Sequence, residues 1–525
     1  MKESNAAAKL SDIKSGEMKE VSVGDAKVLL ARVEDRCYAL GSNCTHYGAP
    51  LVEGALVDGR IICPWHHACF HAATGDMEDP PALDSLPSYP IRIEGDDIFI
   101  DLPDELSDRR IPPMVPADTQ ADKRVFVIIG GGGAGYTAAQ TLREDGFRGR
   151  IVMITREGRA PYDRPNLSKD YLQGHAEPEW MPLRPAEFFD EHGIKLLLEK
   201  EVTRIELLGK TITFGDGEVI TFDSALIASG GIRRRFDIPG SDLSNIFYLR
   251  SFDDADAIIR AAGNAKHVAI IGASFIGMET ASSLAQRGIG VTVIAPDTVP
   301  FERTLGTEIG RLFHRVHEDN GVGFRLGAAV KEFRGDGKVA GVLLDTGELV
   351  ETDFVVAGIG VSPATGFLEG LELHKDGGVI ADQYLQIADG LFAAGDIVHF
   401  PDARSGENAR IEHWRTAMQQ GRTAAHNMAG KRTVFSSVPF FWTTQFDLTL
   451  NYVGHTRGWD EILIDGDIGQ RDFLAFYVKG GRVRAVAGVG RDGELAYMEA
   501  MMKLDRMPSP ETLRLGGTGA TSAAN

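Results

Sequence analysis

The sequence predicts a multidomain protein with a small all-β domain, two doubly wound α/β folds of the nucleotide-binding type and an α+β C-terminal domain. Short apolar runs separated by Gly, Asp and Asn occupy about the first hundred residues, which is typical of a small all-β domain. Two strand–glycine–helix segments follow, VFVIIGGGGAGYTAAQTL at 125–142 and VAIIGASFIGMETASSL at 268–284. Because these segments lie far apart, they indicate two nucleotide-binding folds rather than a solenoid repeat.

The composition is that of an ordinary globular protein and argues against several classes. The net charge of −20 disfavours binding to nucleic acid or to anionic membranes, and it is compatible with a basic protein partner or with simple solubility. The sequence contains no run of about 18 apolar residues, so we expect no membrane-spanning helix. The N-terminal segment has no apolar core of the kind found in signal peptides. Only four cysteines occur, so a disulfide-built secreted fold is not expected and we predict a cytoplasmic location.

Two cysteine–histidine pairs stand in the predicted all-β domain. Cys44 and His46 form a C-x-H pair, and Cys63 and His66 form a C-x-x-H pair. Two thiolates and two imidazoles suit either a structural zinc ion or an iron–sulfur cluster. Zinc fingers usually pair Cys with Cys and His with His, whereas a cluster with two distinct irons takes both thiolates on one iron and both imidazoles on the other. The interleaved order therefore favours a [2Fe-2S] cluster, with zinc as the alternative.

The residues around these pairs sharpen the interpretation. The segments CTHYGAPL and CPWHHACFHAATGD resemble the two cluster-binding loops of Rieske ferredoxins. The ligands that this resemblance implies are Cys44, His46, Cys63 and His66. High-potential Rieske proteins carry an additional Cys in each loop, and since Ala49 and Trp65 stand there, the resemblance is to the lower-potential ferredoxin type. The residue after the second ligand histidine, His67, is off register, and Cys37 and Cys69 are expected to be small buried residues.

The first glycine turn carries the dinucleotide-binding fingerprint. Gly130 allows the tight turn, Gly132 lets a pyrophosphate approach the backbone, and Gly135 lets the helix pack closely on the strand. Phosphates then bind at the helix N-terminus, where free N–H groups and the helix dipole favour anions. A carboxylate that holds a ribose is expected about 20 residues further on. Glu157 occupies that place, after the strand IVMIT.

The second glycine turn predicts a pyridine-nucleotide site. It contains Gly272, Ser274 and Gly277, with serine in place of the middle glycine. The next strand ends at Ala295, where an acid would hold a ribose, and Asp297 lies two positions further on. No arginine immediately follows that strand to bind a 2′-phosphate, which favours NADH over NADPH.

Together these segments resemble the glutathione-reductase-like flavoproteins, and within them the ferredoxin reductases of oxygenase systems and the apoptosis-inducing-factor-like proteins with an N-terminal Rieske domain. The other matching segments are PYDRP at 161–165, LSK at 167–169, ASG at 228–230, LFAAGD at 391–396, EH at 412–413 and FW at 441–442. In the family the last two approach the flavin and the nicotinamide. The resemblance implies FAD and NADH or NADPH as cofactors. The further cofactor-binding residues that it implies are Arg164, Lys169, Arg234, Glu279, Gly360, Asp396, Glu412, His413 and Trp442.

The resemblance also implies a catalytic pair. The residues that match Lys169 and Glu279 in related reductases form an ion pair near the reactive flavin nitrogen, and we expect the same pair here. The family usually has Ser-Asp after Phe-Trp, where this chain has Thr443 and Thr444, so any role of that acid is absent.

These motifs divide the chain into predicted domains. The predicted segments are 1–104 (Rieske domain), 105–123 (linker), 124–250 and 380–432 (FAD domain), 251–379 (NAD(P) domain), 433–510 (C-terminal interface domain) and 511–525 (disordered tail). The linker is rich in Pro and charge. As a flexible coil it would span roughly 20–25 Å and leave the small domain free to swing.

The chemistry that these sites imply is electron transfer. We expect a flavoprotein reductase that passes electrons from NAD(P)H via FAD to its own Rieske cluster and on to an acceptor such as an oxygenase. The alternative is a redox-sensing protein of the apoptosis-inducing-factor type, whose nucleotide binding controls association, with a homodimer as one possibility. A terminal oxygenase would need a separate mononuclear iron domain, which the reductase segments leave no room for. A disulfide reductase is excluded because all four cysteines precede residue 70, far from the flavin segments.

Overall fold

The computed structural model describes residues 6–516, and the chain divides into two units. The first unit comprises the chain up to Pro113, Ser437–Trp442 and the residues from Leu450 onward. The second unit comprises Met114–Ser436 and Thr443–Thr449. Among the residues described, no helix is both long and apolar enough to cross a membrane.

The N-terminal part of the first unit contains three small antiparallel sheets, as the sequence predicted. In the strand Ala26–Val33, Leu29 and Leu30 lie on opposite faces because side chains alternate along a strand. Each is fully buried in a different apolar core, and the core around Leu29 also holds Cys44 and Cys63. The strands and 3₁₀ turns of this part are Ala8–Lys9, Leu10–Asp12 (3₁₀), Met18–Val23, Ala26–Val33, Arg36–Gly41, Leu51–Glu53 (3₁₀), Ala55–Val57, Arg60–Ile62, Cys69–His71, Met77–Asp79, Ser88–Tyr89, Ile91–Glu94 and Asp97–Ile100.

The C-terminal part of the chain is built on one antiparallel sheet with a helix packed on it. The strands, in their order across the sheet, are Phe440–Gln445, Leu448–Gly454, Arg482–Val489, Asp472–Lys479 and Glu461–Asp467. The helix Asp492–Lys503 buries Leu495, Met498 and Met502 in the same apolar core as the sheet residues Phe476 and Val486. This arrangement confirms the predicted α+β class.

A short helix, Pro510–Arg514, follows this domain where the sequence led us to expect a disordered tail from residue 511. The Ser509 hydroxyl accepts a hydrogen bond from the backbone N–H of Thr512 at 3.2 Å, and Pro510 stands at the first helical position, where proline is favoured. Leu513 packs against the domain core. The prediction is therefore wrong for residues 511–514, and residues 517–525 lie outside the described part of the chain.

The second unit contains the two predicted nucleotide-binding folds. The first is a six-stranded sheet in the order Ile194–Leu197, Arg150–Ile154, Val125–Ile129, Ser224–Ile227, Leu391–Ala393 and Gln386–Ala388. Neighbouring strands are parallel except the last pair, so this is a doubly wound sheet with one antiparallel edge. The helix Gly133–Glu144 begins in the first glycine turn and packs on the helix Trp414–Met428.

The second fold is a five-stranded, all-parallel sheet. Its strands, in order across the sheet, are Ile246–Phe247, Phe354–Ala357, His267–Ile271, Gly290–Ala295 and Gly323–Leu326. The strand Ile246–Phe247 pairs with Phe354–Ala357, although the sequence boundary at 250/251 had assigned it to the other fold. A two-residue strand is too short to show a periodicity in the sequence, which is why the boundary was placed too late.

Smaller elements complete the second unit. Its other strands are Val202–Glu206, Thr211–Phe214, Val219–Thr221, Gly231–Arg233, Val330–Asp336, Lys338–Leu344, Leu349–Glu351, Val361–Pro363, Val379–Ile380, Val398–Pro401 and Asn408–Ala409. Its other helices are Arg164–Ser168 (3₁₀), Asp170–Gln173, Pro178–Trp180 (3₁₀), Ala186–Glu191, Phe252–Ala262, Phe275–Gln286, Glu302–Leu305 and Thr307–Asp319.

The predicted linker has no helix, but it is held at several points. Arg110 exchanges two backbone hydrogen bonds of 2.9 Å with Ser85, and its guanidinium lies 2.5 Å from Asp76. Further on, the N–H of Val115 donates to the Arg143 carbonyl at 3.1 Å. Because Arg110 and Val115 in the middle of the linker are each hydrogen-bonded to a folded domain, the expectation of a freely flexible coil is wrong at these positions.

Candidate cluster and nucleotide sites

Two short loops of the N-terminal domain bring the Cys–His pairs together. We call residues 42–50 the first cluster loop and residues 63–68 the second cluster loop. The N–H of Cys44 donates to the Ala49 carbonyl at 2.8 Å, and the N–H of Cys63 donates to the Ala68 carbonyl at 2.9 Å. Each loop is thus closed by a bond from its cysteine to a residue five positions on, which fixes the two cysteines in matching positions.

The four predicted ligands meet at one point. The side chains of Cys44 and Cys63 are buried and hydrogen-bonded to each other, and His46 Nδ1 lies 3.2 Å from His66 Nδ1. Two nitrogens bound at 2.0–2.1 Å to one tetrahedral metal ion stand about 3.4 Å apart. The site therefore offers a thiol pair and an imidazole pair, which is the donor set that a [2Fe-2S] cluster with distinct irons requires.

The protonation of these groups fits metal binding. Burial lowers the pKa of His46 to about 3, so its ring is neutral and its nitrogen is available as a ligand. The hydrogen bond with Cys63, together with burial, raises the pKa of Cys44. A bound iron must therefore displace that proton. The other two cysteines, Cys37 and Cys69, are free and buried, which confirms their predicted role as small core residues.

An aromatic residue of the C-terminal sheet lies against the second cluster loop. The ring centroids of Trp442 and His66 are 4.4 Å apart. The family resemblance implied that Trp442 approaches the flavin or the nicotinamide, and that contact stays a prediction. The contact with a cluster ligand was not anticipated, because nothing in the local sequence relates two residues so far apart in the chain.

The neighbouring histidine, His67, was set aside in the sequence as off register, but it occupies a specific environment. Its side chain is fully buried, and its Nδ1 lies 2.5 Å from Glu499 Oε2. Its ring stacks on Phe440, with ring centroids 4.2 Å apart. Both side chains are buried, and charged residues are rarely buried unless they are paired, but the sequence carries no signal of this burial.

The first glycine turn opens onto a large cavity. This cavity has a volume of about 800 Å³ and is lined by Gly130–Gly132, Glu157, Arg164, Ala228–Gly231, Arg233, Arg235 and Arg250, among others. A Cβ built at Gly132 would meet no atom within 4 Å, so the backbone here is bare towards the cavity. The size falls within the range of ligand sites in proteins, and the bare N-terminus of the helix Gly133–Glu144 suits a pyrophosphate.

The other two fingerprint glycines have the packing roles that the sequence predicted. Gly130 has a φ of +127°, a conformation that favours glycine. A Cβ at Gly135 would lie 1.9 Å from the Gly130 carbonyl oxygen, so only glycine lets the helix approach the strand this closely. These positions fit an FAD-binding fold.

Glu157 lies in the cavity wall where a ribose carboxylate was predicted. Its two carboxylate oxygens accept hydrogen bonds from Arg164 at 2.7 Å and from the Tyr162 hydroxyl at 2.6 Å. Burial alone would raise the pKa of Glu157, but the positive charge of Arg164 and the two hydrogen bonds outweigh it and hold the pKa below its ordinary value. The carboxylate keeps further lone pairs with which it can accept ribose hydroxyls.

Two arginines of the run at 233–235 line the same cavity, but the predicted one, Arg234, is not among them. Arg233 and Arg235 line the cavity, whereas the Arg234 guanidinium bonds to the Ser362 hydroxyl at 3.3 Å. Side chains alternate along an extended chain, so the residues on either side of Arg234 point to the cavity and Arg234 points away. The backbone N–H of Arg234 donates to the Gly360 carbonyl at 3.0 Å, and Gly360 has a φ of +89°. We therefore replace Arg234 by its two neighbours as the candidate cations.

The LFAAGD segment ends next to Arg250, which was not among the predicted cofactor-binding residues. Asp396 forms an ion pair of 2.9 Å with Arg250, which also lines the cavity. Arg410 donates to the Asp396 carbonyl at 2.7 Å and to the Glu412 carboxylate at 2.6 Å. His413, the next residue, lies at the N-cap position of the helix Trp414–Met428. One arginine thus holds two of the predicted flavin-contacting segments together.

The second glycine turn repeats the geometry of the first. Gly272 has a φ of +109°, and a Cβ at Gly277 would lie 2.1 Å from the Gly272 carbonyl oxygen. Ser274 stands at the N-cap position of the helix Phe275–Gln286, and its hydroxyl donates to the Gly358 carbonyl at 3.1 Å. The serine therefore replaces the middle glycine without closing the turn, and the fold remains suited to a nucleotide.

The predicted ion pair is present between these two folds of the second unit. Lys169 Nζ lies 2.8 Å from Glu279 Oε2, and the glutamate side chain is buried. The hydroxyl of Ser168 donates to the same oxygen, and the Thr443 hydroxyl donates to Glu279 Oε1 at 2.7 Å. In the family pattern Thr444 takes the place of the acid and Thr443 that of the serine, and the bond from Thr443 to Glu279 was not predicted. The buried carboxylate is thus held by two hydroxyls and one ammonium group.

Comparisons with known proteins match all three parts of the chain. Residues 124–421 match the family model described as pyridine nucleotide-disulphide oxidoreductase, residues 3–90 match the Rieske [2Fe-2S] domain, and residues 440–515 match the reductase C-terminal family. The Rieske match, together with the donor set described above, decides between zinc and a [2Fe-2S] cluster in favour of the cluster.

Curated relatives and solved structures give the same result. The human protein named apoptosis-inducing factor 3 is 39% identical over 498 residues, which cover 93% of this chain and 82% of that protein. Rhodocoxin reductase of Rhodococcus erythropolis is 33% identical over 74% of this chain and 91% of its own length. The crystal structure of the covalent putidaredoxin reductase–putidaredoxin complex aligns with a TM-score of 0.71 and 30% identity, over 74% of this chain and 95% of that one.

Proposed function

Because the chain belongs to the pyridine nucleotide-disulphide oxidoreductase family and carries a Rieske [2Fe-2S] domain, we propose that it passes electrons from NAD(P)H through FAD to its own cluster and on to an acceptor such as an oxygenase. When bound, FAD would supply the exchange between a two-electron donor and one-electron carriers, and the cluster would supply one-electron transfer. The protein supplies binding, orientation and electrostatics for this chemistry.

The contact between Trp442 and His66 carries the proposal. Through it a predicted cluster ligand lies against the aromatic side chain of a reductase domain in the same chain, with ring centroids 4.4 Å apart. The next residue along the strand, Thr443, donates to Glu279 of the predicted catalytic pair. A cluster that served only an external reductase would not need its ligand covered by this strand.

The remaining residues have positioning and electrostatic roles in this proposal. Lys169, held by Glu279, places a positive charge where negative charge develops on a reduced flavin, and such fixed charges act strongly in a site shielded from water. The cavity arginines and the two helix N-termini hold phosphates. No side chain is required as a nucleophile.

The downstream acceptor is proposed from charge and from the relatives. The relatives include proteins named rhodocoxin reductase and putidaredoxin reductase, which favours a protein as the acceptor. This chain carries a cluster domain of its own, which would be the first acceptor, and a second protein would then take the electron. The net charge of −20 favours a basic partner surface. We further propose a cytoplasmic location, because the chain has only four cysteines, fewer than a disulfide-built secreted protein of this size would usually carry.

We propose NADH as the preferred donor. The strand Gly290–Ala295 ends in a buried alanine, and Asp297 follows it, with its side chain about one-third exposed. An aspartate carboxylate binds a ribose 2′-hydroxyl but repels a 2′-phosphate. The exposed Arg303 lies 3.7 Å from Asp297 and would have to be freed to bind a phosphate. The ratio of kcat/KM for NADH and NADPH tests this, and a ratio below one would contradict it.

An anaerobic titration with NADH tests the proposed function. Flavin absorbance and the electron paramagnetic resonance signal of the cluster should both report reduction. Replacement of Trp442 by Ala should slow cluster reduction about tenfold or more, and by more than it slows flavin reduction, because the contact with His66 is lost. The matched control is Trp459→Ala, since Trp459 packs against Tyr477 of the same domain, with ring centroids 5.3 Å apart. Equal rates in both variants would count against the proposal.

The alternative function rests on the relative named apoptosis-inducing factor 3, which matches the chain over 93% of its length. In this reading the nucleotide controls association of two copies rather than electron delivery. Sedimentation with and without NADH, compared with turnover on an artificial acceptor, separates the two functions. A change in mass with negligible turnover would favour the alternative.

A further inference from the structure

We propose that His67 and Glu499 are positioning residues that keep the Rieske domain docked on the C-terminal domain, so that the cluster stays in place while it exchanges electrons. The docking follows from the contacts within the first unit, and its role in electron exchange rests on the proposed function. This inference replaces the swinging domain that the linker composition suggested.

The backbone conformation of His67 indicates that contacts of its side chain favour histidine over glycine at this position. Its φ is +57°, a left-handed conformation that few residues other than glycine adopt. Glycine would satisfy the turn between the ligand His66 and Ala68 at no steric cost. A histidine in such a position usually persists because surrounding contacts over-determine it.

Those contacts come from the C-terminal domain. The His67 side chain is fully buried, its Nδ1 lies 2.5 Å from Glu499, and its ring stacks on Phe440. Two positions beyond Phe440 on the same strand, Trp442 contacts His66. Residues i and i+2 of a strand share one face, so one face of the strand covers two successive histidines of the second cluster loop.

The helix Asp492–Lys503 supplies a second part of the docking surface. Its small residues Ala496 and Ala500 form a buried apolar cluster with the N-terminal domain residues Ala55, Ile62 and Cys69. A Cβ at Gly493 would lie 2.5 Å from the Glu53 carbonyl oxygen, so the backbones approach as closely as glycine allows. At the end of the helix, Lys503 forms an ion pair of 3.0 Å with Asp79.

Undocking would be costly at each of these contacts. It would expose the apolar cluster to water and separate a buried glutamate from its histidine, and removal of one partner from a buried pair is strongly unfavourable. These contacts make the docked arrangement a fixed part of the fold.

Amide hydrogen exchange on the full, cluster-loaded chain tests the docking directly. The variants are Glu499→Gln, which keeps the shape of the side chain, and His67→Gly, which also relieves the left-handed backbone. Exchange in the helix Asp492–Lys503 and the strand Ala55–Val57 should become about tenfold faster or more in both variants, because local opening exposes these amides. The matched control, Glu494→Gln, changes a half-exposed glutamate of the same helix that pairs with Arg491 and should leave exchange unchanged.

His67→Gly separates docking from a purely local role. If His67 merely fills its loop, glycine relieves the backbone and exchange in the helix stays at the wild-type rate, which would overturn the proposal. If it positions the domain, the variant keeps its iron content but its helix exchanges faster. The rate of cluster reduction by NADH is then expected to fall about tenfold with flavin reduction unchanged. A wild-type cluster that NADH never reduces would refute the proposed function alone, because the exchange data decide the docking independently.

Discussion

The indole ring of Trp442 and the imidazole ring of His66 lie 4.4 Å apart between centroids, and the two residues belong to the C-terminal and the N-terminal domains of one chain. The relatives named for rhodocoxin and putidaredoxin are reductases whose names point to a separate partner protein. Here the cluster domain is covalently attached, and an aromatic residue of the reductase covers one of its ligands. This contact supports our proposal that the cluster receives electrons from the flavin of its own chain.

The first prediction concerns the cluster. Purified protein should contain two irons and two acid-labile sulfides per chain. His66→Ala removes one of the two nitrogen ligands that face each other at 3.2 Å, so the cluster signal should disappear while FAD remains bound. The control is His71→Ala, because His71 bonds to its own loop at Thr74 rather than to the cluster residues. Zinc without sulfide in anaerobically purified protein would contradict the assignment.

The cluster ligands could be predicted from the sequence because all four belong to two short loops with a specific spacing. Trp442 and Glu499 could not be found in this way. Their contacts with His66 and His67 join residues more than 370 positions apart in the chain, and only the folded domains bring them together. A local sequence pattern identifies the metal-binding residues of a loop, whereas a docking surface depends on how whole domains pack together.

The second prediction concerns the pair of Lys169 and Glu279. Lys169→Ala and Glu279→Ala should each lower the rate of flavin reduction by NADH and shift the flavin spectrum, because the fixed charge beside the flavin is removed or released. Loss of one partner from a buried pair costs about 3–5 kcal/mol of stability. The control Lys210→Ala breaks a largely exposed pair with Asp389 and should cost about 1 kcal/mol or less. Unchanged spectra and rates in both variants would remove the pair from the mechanism.

The third prediction separates two glycines of the first turn. Gly132→Ala should fold normally, since a Cβ there meets no atom within 4 Å, but the methyl group projects towards the cavity and should weaken FAD binding about tenfold. Gly135→Ala places its Cβ 1.9 Å from the Gly130 carbonyl oxygen and should destabilise the fold by about 1–3 kcal/mol or more. Thermal unfolding of the FAD-free protein and flavin titration distinguish them. Equal effects of both substitutions would contradict the assignment of Gly132 to FAD binding and of Gly135 to packing.

The fourth prediction is a pH dependence at Glu157. Arg164 and Tyr162 hold the pKa of this carboxylate below its ordinary value of 4.5, so its stabilising contribution is complete above pH 4.5 and is lost as the pH falls through the lowered pKa. Glu157→Gln should therefore be less stable than the wild type near neutral pH, by about 1.5–3 kcal/mol for a charged hydrogen-bonded group. The difference should shrink in acid. A difference that is constant from pH 7 to pH 3 would contradict the proposed charge pairing.

In the nucleotide-binding folds, residues at a chemically required spacing could be predicted from the sequence. Residues whose contacts depend on tertiary packing could not. The glycines at 130, 132 and 135 have the predicted environments because the turn geometry admits few alternatives. Arg234 was implied by the family resemblance, and only the direction of the extended backbone shows that Arg233 and Arg235 face the cavity instead. The Thr443 bond to Glu279 could not be predicted either, because it joins residues 164 positions apart and depends on where the strand Phe440–Gln445 lies.

The most direct test of the central claim is anaerobic stopped-flow mixing of the fully loaded protein with NADH at several protein concentrations. Flavin absorbance and cluster absorbance should be followed together. If the flavin reduces the cluster of its own chain, cluster bleaching follows flavin reduction with a rate that does not depend on protein concentration, because the attached domain acts as an intramolecular acceptor. A rate proportional to protein concentration would contradict this claim in favour of transfer between molecules, and a cluster that stays oxidised while the flavin is reduced would contradict it altogether.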